Sequence, residues 1–179
     1  MIKPNAMVKQ NENIILVGFM GSGKTTLGKK LAKKTGKSFL DLDHLIEMQH
    51  GKTISEIFDS IGEEGFRAIE TEVIRTLKPD SNLVISTGGG APCFNNNMDQ
   101  LNALGKTVYL EVPAKMLADR LFNAKEKRPL IAGKSKSELV DFIARSLKVR
   151  GPYYAKATFL YTNTSSGVDF EKVFGFSGK

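Results

Sequence analysis

The 179-residue sequence has few of the side chains that stabilise small secreted or metal-dependent folds. A single cysteine, Cys93, excludes an internal disulfide and is typical of a reducing compartment. Only two histidines accompany it, which disfavours a structural zinc site. Tryptophan is absent, and no motif combines aromatic and basic residues as RNA-binding domains do. We therefore expect no disulfide framework, no zinc site and no nucleic-acid partner.

Long hydrophobic runs are also missing. No apolar run approaches the roughly 20 residues that cross a bilayer, and residues 1–13 contain no hydrophobic segment of the signal-peptide type. We therefore expect no membrane association and a cytoplasmic location. The content of 41% hydrophobic and 25% charged residues is ordinary for a globular protein, and it predicts one domain over residues 1–179.

The charge balance is basic but dispersed. Lysine and arginine number 26 against 19 acidic residues, which gives a net charge of +7. The basic residues are spread along the chain rather than concentrated in one stripe. This distribution favours small polyanionic ligands over a nucleic acid.

The most specific motif is a glycine-rich phosphate-binding loop. Residues 18–25 read GFMGSGKT, which matches G-x-x-x-x-G-K-[ST]. An apolar run at 14–17 precedes the loop and a helix-forming run at 27–34 follows it, which is the context that this loop requires. Lys24 is expected to reach the β- and γ-phosphates, and the Thr25 hydroxyl to contact Mg²⁺. The predicted nucleotide-binding residues of the loop are Gly21, Ser22, Gly23, Lys24, Thr25 and Thr26.

Strand-like and helix-like runs alternate along the chain. The strand-like runs lie at 14–17, 38–42, 83–86, 107–111 and 158–162, and helical patterns include 25–35, 63–77, 113–122 and 136–149. This alternation predicts an α/β fold in which helices cover both faces of a parallel sheet. Ligands of such sheets bind beyond the carboxyl ends of the strands, where the phosphate loop and the motifs described next are found.

Two carboxylates, Asp41 and Asp43, follow the second strand-like run. Their spacing predicts that both lie on one face of the strand end. One of them suits the hydration shell of Mg²⁺, and the other suits the orientation or deprotonation of an acceptor hydroxyl. The alternative is that either residue caps a helix at 44–50.

Arginines and glycines supply the other acceptor candidates. Arg67 and Glu70 have helical i, i+3 spacing, which is also typical of a surface salt bridge. Arg150 lies where a helix is expected to end, and two converging arginines would select a carboxylate. The turn at 88–90, Gly88, Gly89 and Gly90, exposes backbone to a close ligand, unless it is only a flexible turn.

The segment 123–137 is rich in lysine and glycine and predicts a mobile lid. Arg128 within it would neutralise phosphate charge when the lid closes. Arg120, near the end of the preceding helix, is placed to stack on an adenine, although a solvated helix face explains it equally well.

Taken in order, these motifs resemble those of the shikimate kinase family, and the resemblance covers residues 13–163. Beyond the phosphate loop, the series comprises DLD at 41–43, IE at 46–47, IF at 57–58, GEEGFR at 62–67 with Glu70, TGGG at 87–90, RPLI at 128–131, and Arg150 with Tyr154. The resemblance implies ATP-dependent phosphorylation of the 3-hydroxyl of shikimate. It also implies a P-loop fold whose five parallel strands follow the order 2-3-1-4-5.

The resemblance further implies a role for each matching residue. Asp43 contacts the ring hydroxyls, Arg67 and Arg150 hold the carboxylate, and Gly89 lies against the substrate. Lys24, Asp43 and Arg128 form the catalytic set, and a segment at about 43–75 binds the acceptor. The remaining matches are Asp41 near Mg²⁺ with Thr25, Arg120 beside the adenine, and Phe58, Phe66, Glu70, Gly88 and Gly90 around shikimate.

Two other functions compete with this interpretation. A gluconate-type sugar-acid kinase shares the loop and the fold, and a non-catalytic ATP-responsive regulator would keep the loop alone. A GTPase is disfavoured because no Asn-Lys-x-Asp motif occurs in the sequence. We expect the chain to act as a monomer.

Overall fold

The computed structural model, which describes residues 11–123 and 133–162, alternates strands and helices. The strands in these ranges are β1 Asn13–Val17, β2 Ser38–Asp41, β3 Leu83–Ser86, β4 Gly105–Glu111 and β5 Phe159–Thr162. The helices are α1 Lys24–Thr35, α2 Leu42–His50, α3 Ile54–Thr76, α4 Asn97–Leu104, α5 Ala114–Phe122 and α6 Lys136–Tyr154, with a short 3-10 helix at Ala91–Cys93. None of these helices combines the length and the apolar character needed to cross a membrane.

The strands form one parallel sheet in the order β2-β3-β1-β4-β5 within the described residues. In its register, Leu16 of β1 lies beside Ser86 of β3, and Ser86 lies beside Asp41 of β2. The carboxyl ends of the three strands therefore meet at one edge of the sheet. The fold class and the strand order predicted from the sequence are confirmed.

Strand β1 is buried along its whole length and separates two apolar layers. Ile15 and Val17 pack with residues of α2, α3 and α4 on one face. Ile14 and Leu16 pack with α1 on the other face. The alternation of side chains along a strand thus lets one continuous apolar run serve both layers.

Helix α3 is interrupted at Gly62, whose φ of 71° and ψ of −178° are not helical. A capping box between Thr53 and Glu56 fixes the start of its first half. The second half corresponds to the helix predicted at 63–77. Since only glycine adopts this backbone conformation readily, the interruption is encoded at that residue.

Two predicted boundaries were wrong. The second strand ends at Asp41 and α2 begins at Leu42, so Asp41 and Asp43 do not share one strand face. Helix α6 does not end at Arg150 but continues through Pro152 to Tyr154. Proline lacks an N–H, but the last turn still closes because the N–H of Ala155 donates to Gly151 at 2.9 Å.

Candidate active site

The phosphate loop runs from the end of β1 into the N-terminus of α1. Gly21 and Gly23 have φ values of 78° and 98°, which other residues adopt only with strain. The Lys24 ammonium lies inside the curve of the loop and donates to the carbonyl oxygens of Gly18 and Phe19, at 2.8 and 3.1 Å. The loop therefore presents backbone N–H groups and a buried cation to the same small volume, as phosphate binding requires.

Two oxygen atoms suited to a hard cation lie beside the loop. The Thr25 hydroxyl donates to Asp41 Oδ2 at 2.9 Å and lies 3.4 Å from the Ser86 hydroxyl. Asp41 precedes α2 but makes no side-chain cap, so helix capping does not explain it. In the described residues, no three His, Cys, Asp or Glu side chains cluster to hold a metal. A Mg²⁺ ion fits this pair because it keeps several waters and phosphate oxygens as ligands.

A cavity of about 590 Å³ opens above the loop. It is lined by all six residues predicted from the loop and also by Asp41, Asp43, Gly89 and Arg120. The sequence motifs did not include five further lining residues, which are Leu27, Lys30, Ser86, Leu110 and Tyr161. Ser86 was detectable in principle, because it ends β3, the strand that neighbours β1.

Arg120 extends from α5 toward the back of the phosphate loop. Its Nη1 donates to the carbonyl oxygens of Gly21 and Ser22, at 3.3 and 3.2 Å, and its Nη2 lies 3.3 Å from the sulfur of Met116. These contacts fix the guanidinium group at the edge of the cavity, so a purely solvated helix face does not describe this residue.

Asp43 lies in the first turn of α2, at the inner wall of the cavity. Burial raises the pKa of its carboxyl group, and the nearby charge of Asp41 raises it further. The positive charges of Lys24 and Arg67 oppose that rise. Asp43 is therefore close both to the phosphate loop and to a second group of charged residues.

That second group is centred on the buried Arg67. Its Nη1 donates to Glu70 Oε2 at 3.2 Å, and its Nη2 donates to Glu63 Oε1 at 3.0 Å. Glu70 is fully buried, and burial raises its pKa to about 7 against the opposing charge of Arg67. The Arg67–Glu70 pair is thus an interior ion pair, and its alternative interpretation as a surface salt bridge is wrong.

Aromatic rings enclose the Arg67 guanidinium. Its Cζ atom lies 4.5 Å from the ring centre of Phe94, 5.2 Å from that of Phe66 and 5.8 Å from that of Phe58. Phe58 and Phe66 stack with ring centres 4.5 Å apart. The rings and the two carboxylates hold the guanidinium in one orientation. Phe94 and Glu63 were not predicted, although Glu63 stands at helical i, i+4 spacing from Arg67.

Gly88 and Gly90 are required by neighbouring side chains. A Cβ atom at Gly88 would lie 2.7 Å from Asp43 Oδ1 and 2.8 Å from Glu70 Oε1, and a Cβ at Gly90 would lie 2.6 Å from Arg67 Nη2. The two glycines therefore make room for the carboxylates and the guanidinium of the site, which excludes the interpretation as a merely flexible turn.

Arg150 approaches the same turn from α6. Burial raises the pKa values of Glu70 and Cys93, and the nearby positive charges of Arg150 and Arg67 oppose that rise. The Arg150 guanidinium lies 5.5 Å from the ring centre of Phe19. One turn later in α6, the buried Tyr154 hydroxyl donates to the carbonyl oxygen of Gly89.

The predicted site residues thus fall into two adjoining groups. The loop residues, Asp41 and Arg120 line the cavity, whereas Arg67, Glu70 and Arg150 lie around the 88–90 turn. Asp43 adjoins both groups. Arg128 and most of the predicted lid, residues 124–132, lie outside the described residues.

Comparison with known proteins identifies the family of the chain. The family model for shikimate kinase matches residues 20–174. The shikimate kinase of Parabacteroides distasonis is 49% identical over 150 residues, which are 84% of this chain and 87% of that protein. The crystal structure of shikimate kinase from Bacteroides thetaiotaomicron gives a TM-score of 0.81 at 46% identity, covering 84% of this chain and 86% of that one.

A second solved relative has shikimate bound. The shikimate kinase from Acinetobacter baumannii, in complex with shikimate, gives a TM-score of 0.76 at 40% identity and covers 87% of this chain and 85% of that one. The match of the family model over most of the length, the identity to relatives and the shared fold lead to one conclusion: the chain belongs to the shikimate kinase family.

Proposed function

We propose that this chain transfers the γ-phosphoryl group of ATP to the 3-hydroxyl of shikimate, giving shikimate 3-phosphate and ADP. The observation that carries the proposal is the position of Asp43. Its carboxylate borders the phosphate-loop cavity. Its Oδ1 and the Oε1 of Glu70, the ion-pair partner of Arg67, both lie next to Gly88. A hydroxyl oriented by Asp43 would therefore lie between a nucleotide phosphate and two guanidinium groups.

The donor side uses the loop residues of the cavity. The backbone of residues 21–26 and the Lys24 ammonium bind the phosphates, and the Lys24 contacts to carbonyl oxygens give way to phosphate oxygens. Arg120 borders the adenine side, and Arg128 would neutralise phosphate charge. Thr25 and Asp41 would hold Mg²⁺, which neutralises phosphate charge when bound.

The acceptor side recognises an acid. Arg67 and Arg150 bind the shikimate carboxylate, and Glu70 keeps the Arg67 guanidinium in place. Phe58 and Phe66 form the apolar wall of the pocket, and the glycines at 88–90 keep side chains out of it. The segment at about 43–75 thus serves as the acceptor-binding part of the domain.

Catalysis in this proposal comes from positioning and charge neutralisation. Asp43 aligns the 3-hydroxyl for in-line attack, while Lys24 and Arg128 stabilise the negative charge on the transferred group. Phosphoryl transfer needs little covalent help from the protein, so a rigid site of fixed donors is sufficient.

The test is a coupled assay of ADP release with the purified chain, ATP and Mg²⁺. We expect ADP release that depends on shikimate and stays at background with gluconate or without an acceptor. Turnover of gluconate but not of shikimate would assign the chain to the sugar-acid kinases. ATP binding without turnover of either acid would support a regulatory role instead. A monomeric state and a cytoplasmic location stay predictions of the sequence.

A further inference from the structure

Not every nitrogen of the Arg67 guanidinium group has a hydrogen-bond acceptor. Nη1 is occupied by Glu70 and Nη2 by Glu63, whereas the buried Nε has no hydrogen-bond acceptor among the described residues. In a guanidinium group, Nε–H and the N–H of Nη2 point in parallel along one edge. That edge is one of the two on which a carboxylate can bind with both of its oxygens. Glu63 therefore satisfies only half of a bidentate carboxylate site.

The two glutamates on Arg67 differ sharply in burial. The Glu70 side chain is 0% exposed and that of Glu63 is 58% exposed, against 10% for Arg67 itself. Removing Glu70 from the guanidinium would leave a carboxylate buried without its partner, which is costly. Releasing Glu63 only returns a carboxylate to water, since exposed ion pairs contribute little. Glu63 is thus the exchangeable partner of Arg67.

The backbone places Glu63 at this position. It directly follows Gly62, whose non-helical conformation separates the two halves of α3. Glu63 is consequently the first residue of the second half, one helical turn before Arg67. Its side chain reaches forward over that turn to the guanidinium, and because it is more than half exposed it can leave with little loss of buried packing.

We propose that Glu63 is an internal counter-ion of the acceptor site, which the carboxylate of the acid substrate displaces from Arg67. The inference rests on the proposed function. In the free protein Glu63 pairs with Nη2 of the arginine. The substrate carboxylate then takes Nη2 and the unused Nε together, so two hydrogen bonds replace one. Glu63 competes with the acceptor and lowers its apparent affinity.

The experiment compares Glu63→Gln with the control Glu64→Gln. The control removes the same charge from the next residue, Glu64, which is exposed and makes no ion pair with Arg67. Shikimate binding is measured by isothermal titration calorimetry, with ADP binding as a second readout. Because the pair is partly exposed, we expect E63Q to bind shikimate about two- to fivefold more tightly than E64Q. ADP affinity should be the same in both variants. Glu63→Ala should act in the same direction as E63Q.

The gain must also depend on Arg67. In an Arg67→Ala background, E63Q and E64Q should give the same kcat/KM for shikimate. If E63Q binds shikimate no better than E64Q, or more weakly, Glu63 supports the arginine in the complex and the inference is overturned. If the wild-type protein itself binds no shikimate, the proposed function fails and the inference fails with it. These two outcomes are distinguished by the wild-type titration.

Discussion

Replacing Gly90 with alanine tests how narrowly the acceptor site holds its arginine. Gly90 has φ −91° and ψ −23°, which alanine adopts without strain, so only the added methyl group matters. That methyl would lie 2.6 Å from Nη2 and 2.7 Å from Cζ of Arg67. Ordinary contacts begin near 3.4 Å, and the guanidinium must therefore move by about 1 Å against its aromatic and carboxylate neighbours.

A displacement of this size has a large effect on a group that positions a substrate. A misplacement of about 1 Å can cost roughly a hundredfold in rate, and we expect kcat/KM for shikimate to fall by about 10- to 100-fold in Gly90→Ala. This loss corresponds to roughly 1.4 to 2.7 kcal/mol. The KM for ATP should stay within about twofold of the wild-type value, because Gly90 does not line the nucleotide cavity.

The assay is steady-state ADP release with shikimate or ATP varied in turn. Gly151→Ala is the matched control for an added methyl group, because a Cβ there meets no atom within 4 Å outside its two chain neighbours. It should retain wild-type kinetics for both substrates, with a small loss of stability because its Cβ is crowded by the ring of Pro152. Wild-type kcat/KM for shikimate in Gly90→Ala, or an equal loss toward ATP, would refute the reasoning.

Four further substitutions test other parts of the site. Arg67→Ala should lower kcat/KM for shikimate by about 2–4 kcal/mol with ATP binding almost unchanged, and equal losses toward both substrates would contradict this. Lys24→Met should abolish most phosphoryl transfer but leave shikimate binding by calorimetry intact. Because burial raises the pKa of Glu70 from 4.5 to about 7, the folded state binds more protons than the unfolded state in that interval. Wild-type stability should therefore fall as pH rises from 4.5 to about 7, and thermal melts of Glu70→Gln should show a weaker fall. Tyr154→Phe should lower the free energy of unfolding by about 1–3 kcal/mol, measured by urea denaturation, because it leaves the Gly89 carbonyl without its donor.

The sheet was predictable because its signals are local. The buried run of β1 and the glycine-rich loop after it fix one strand, one turn and one helix from consecutive residues. The alternation of strands and helices then determines a parallel sheet with few possible connections. The order 2-3-1-4-5 itself came from the family resemblance rather than from composition or periodicity.

The errors arose where a boundary depends on tertiary contacts. The spacing of Asp41 and Asp43 fits a strand, but α2 begins between them, and the Asp41 carboxylate accepts from the Thr25 hydroxyl. A helix end was expected at Arg150, but α6 continues through Pro152 to Tyr154, which is fully buried. Packing of that tyrosine outweighs the hydrogen bond that proline removes.

The reason for the glycines at 88–90 was also hidden in the sequence. A glycine run predicts an open backbone. In the structure, Gly88 and Gly90 are needed because a Cβ at either position would clash with side chains of α2 and α3. These contacts join residues that are 18 to 45 positions apart along the chain. No local pattern encodes such an approach, although the family resemblance marked the turn as part of the site.

The central claim is that Arg67 and Arg150 bind one carboxylate while Asp43 orients the hydroxyl to be phosphorylated. A crystal structure of this chain with shikimate and ADP tests it most directly. The account predicts that both guanidinium groups contact the shikimate carboxylate and that the Asp43 carboxylate contacts the 3-hydroxyl, facing the phosphate loop. A bound shikimate whose carboxylate contacts neither arginine, or whose 3-hydroxyl faces away from Asp43, would contradict it.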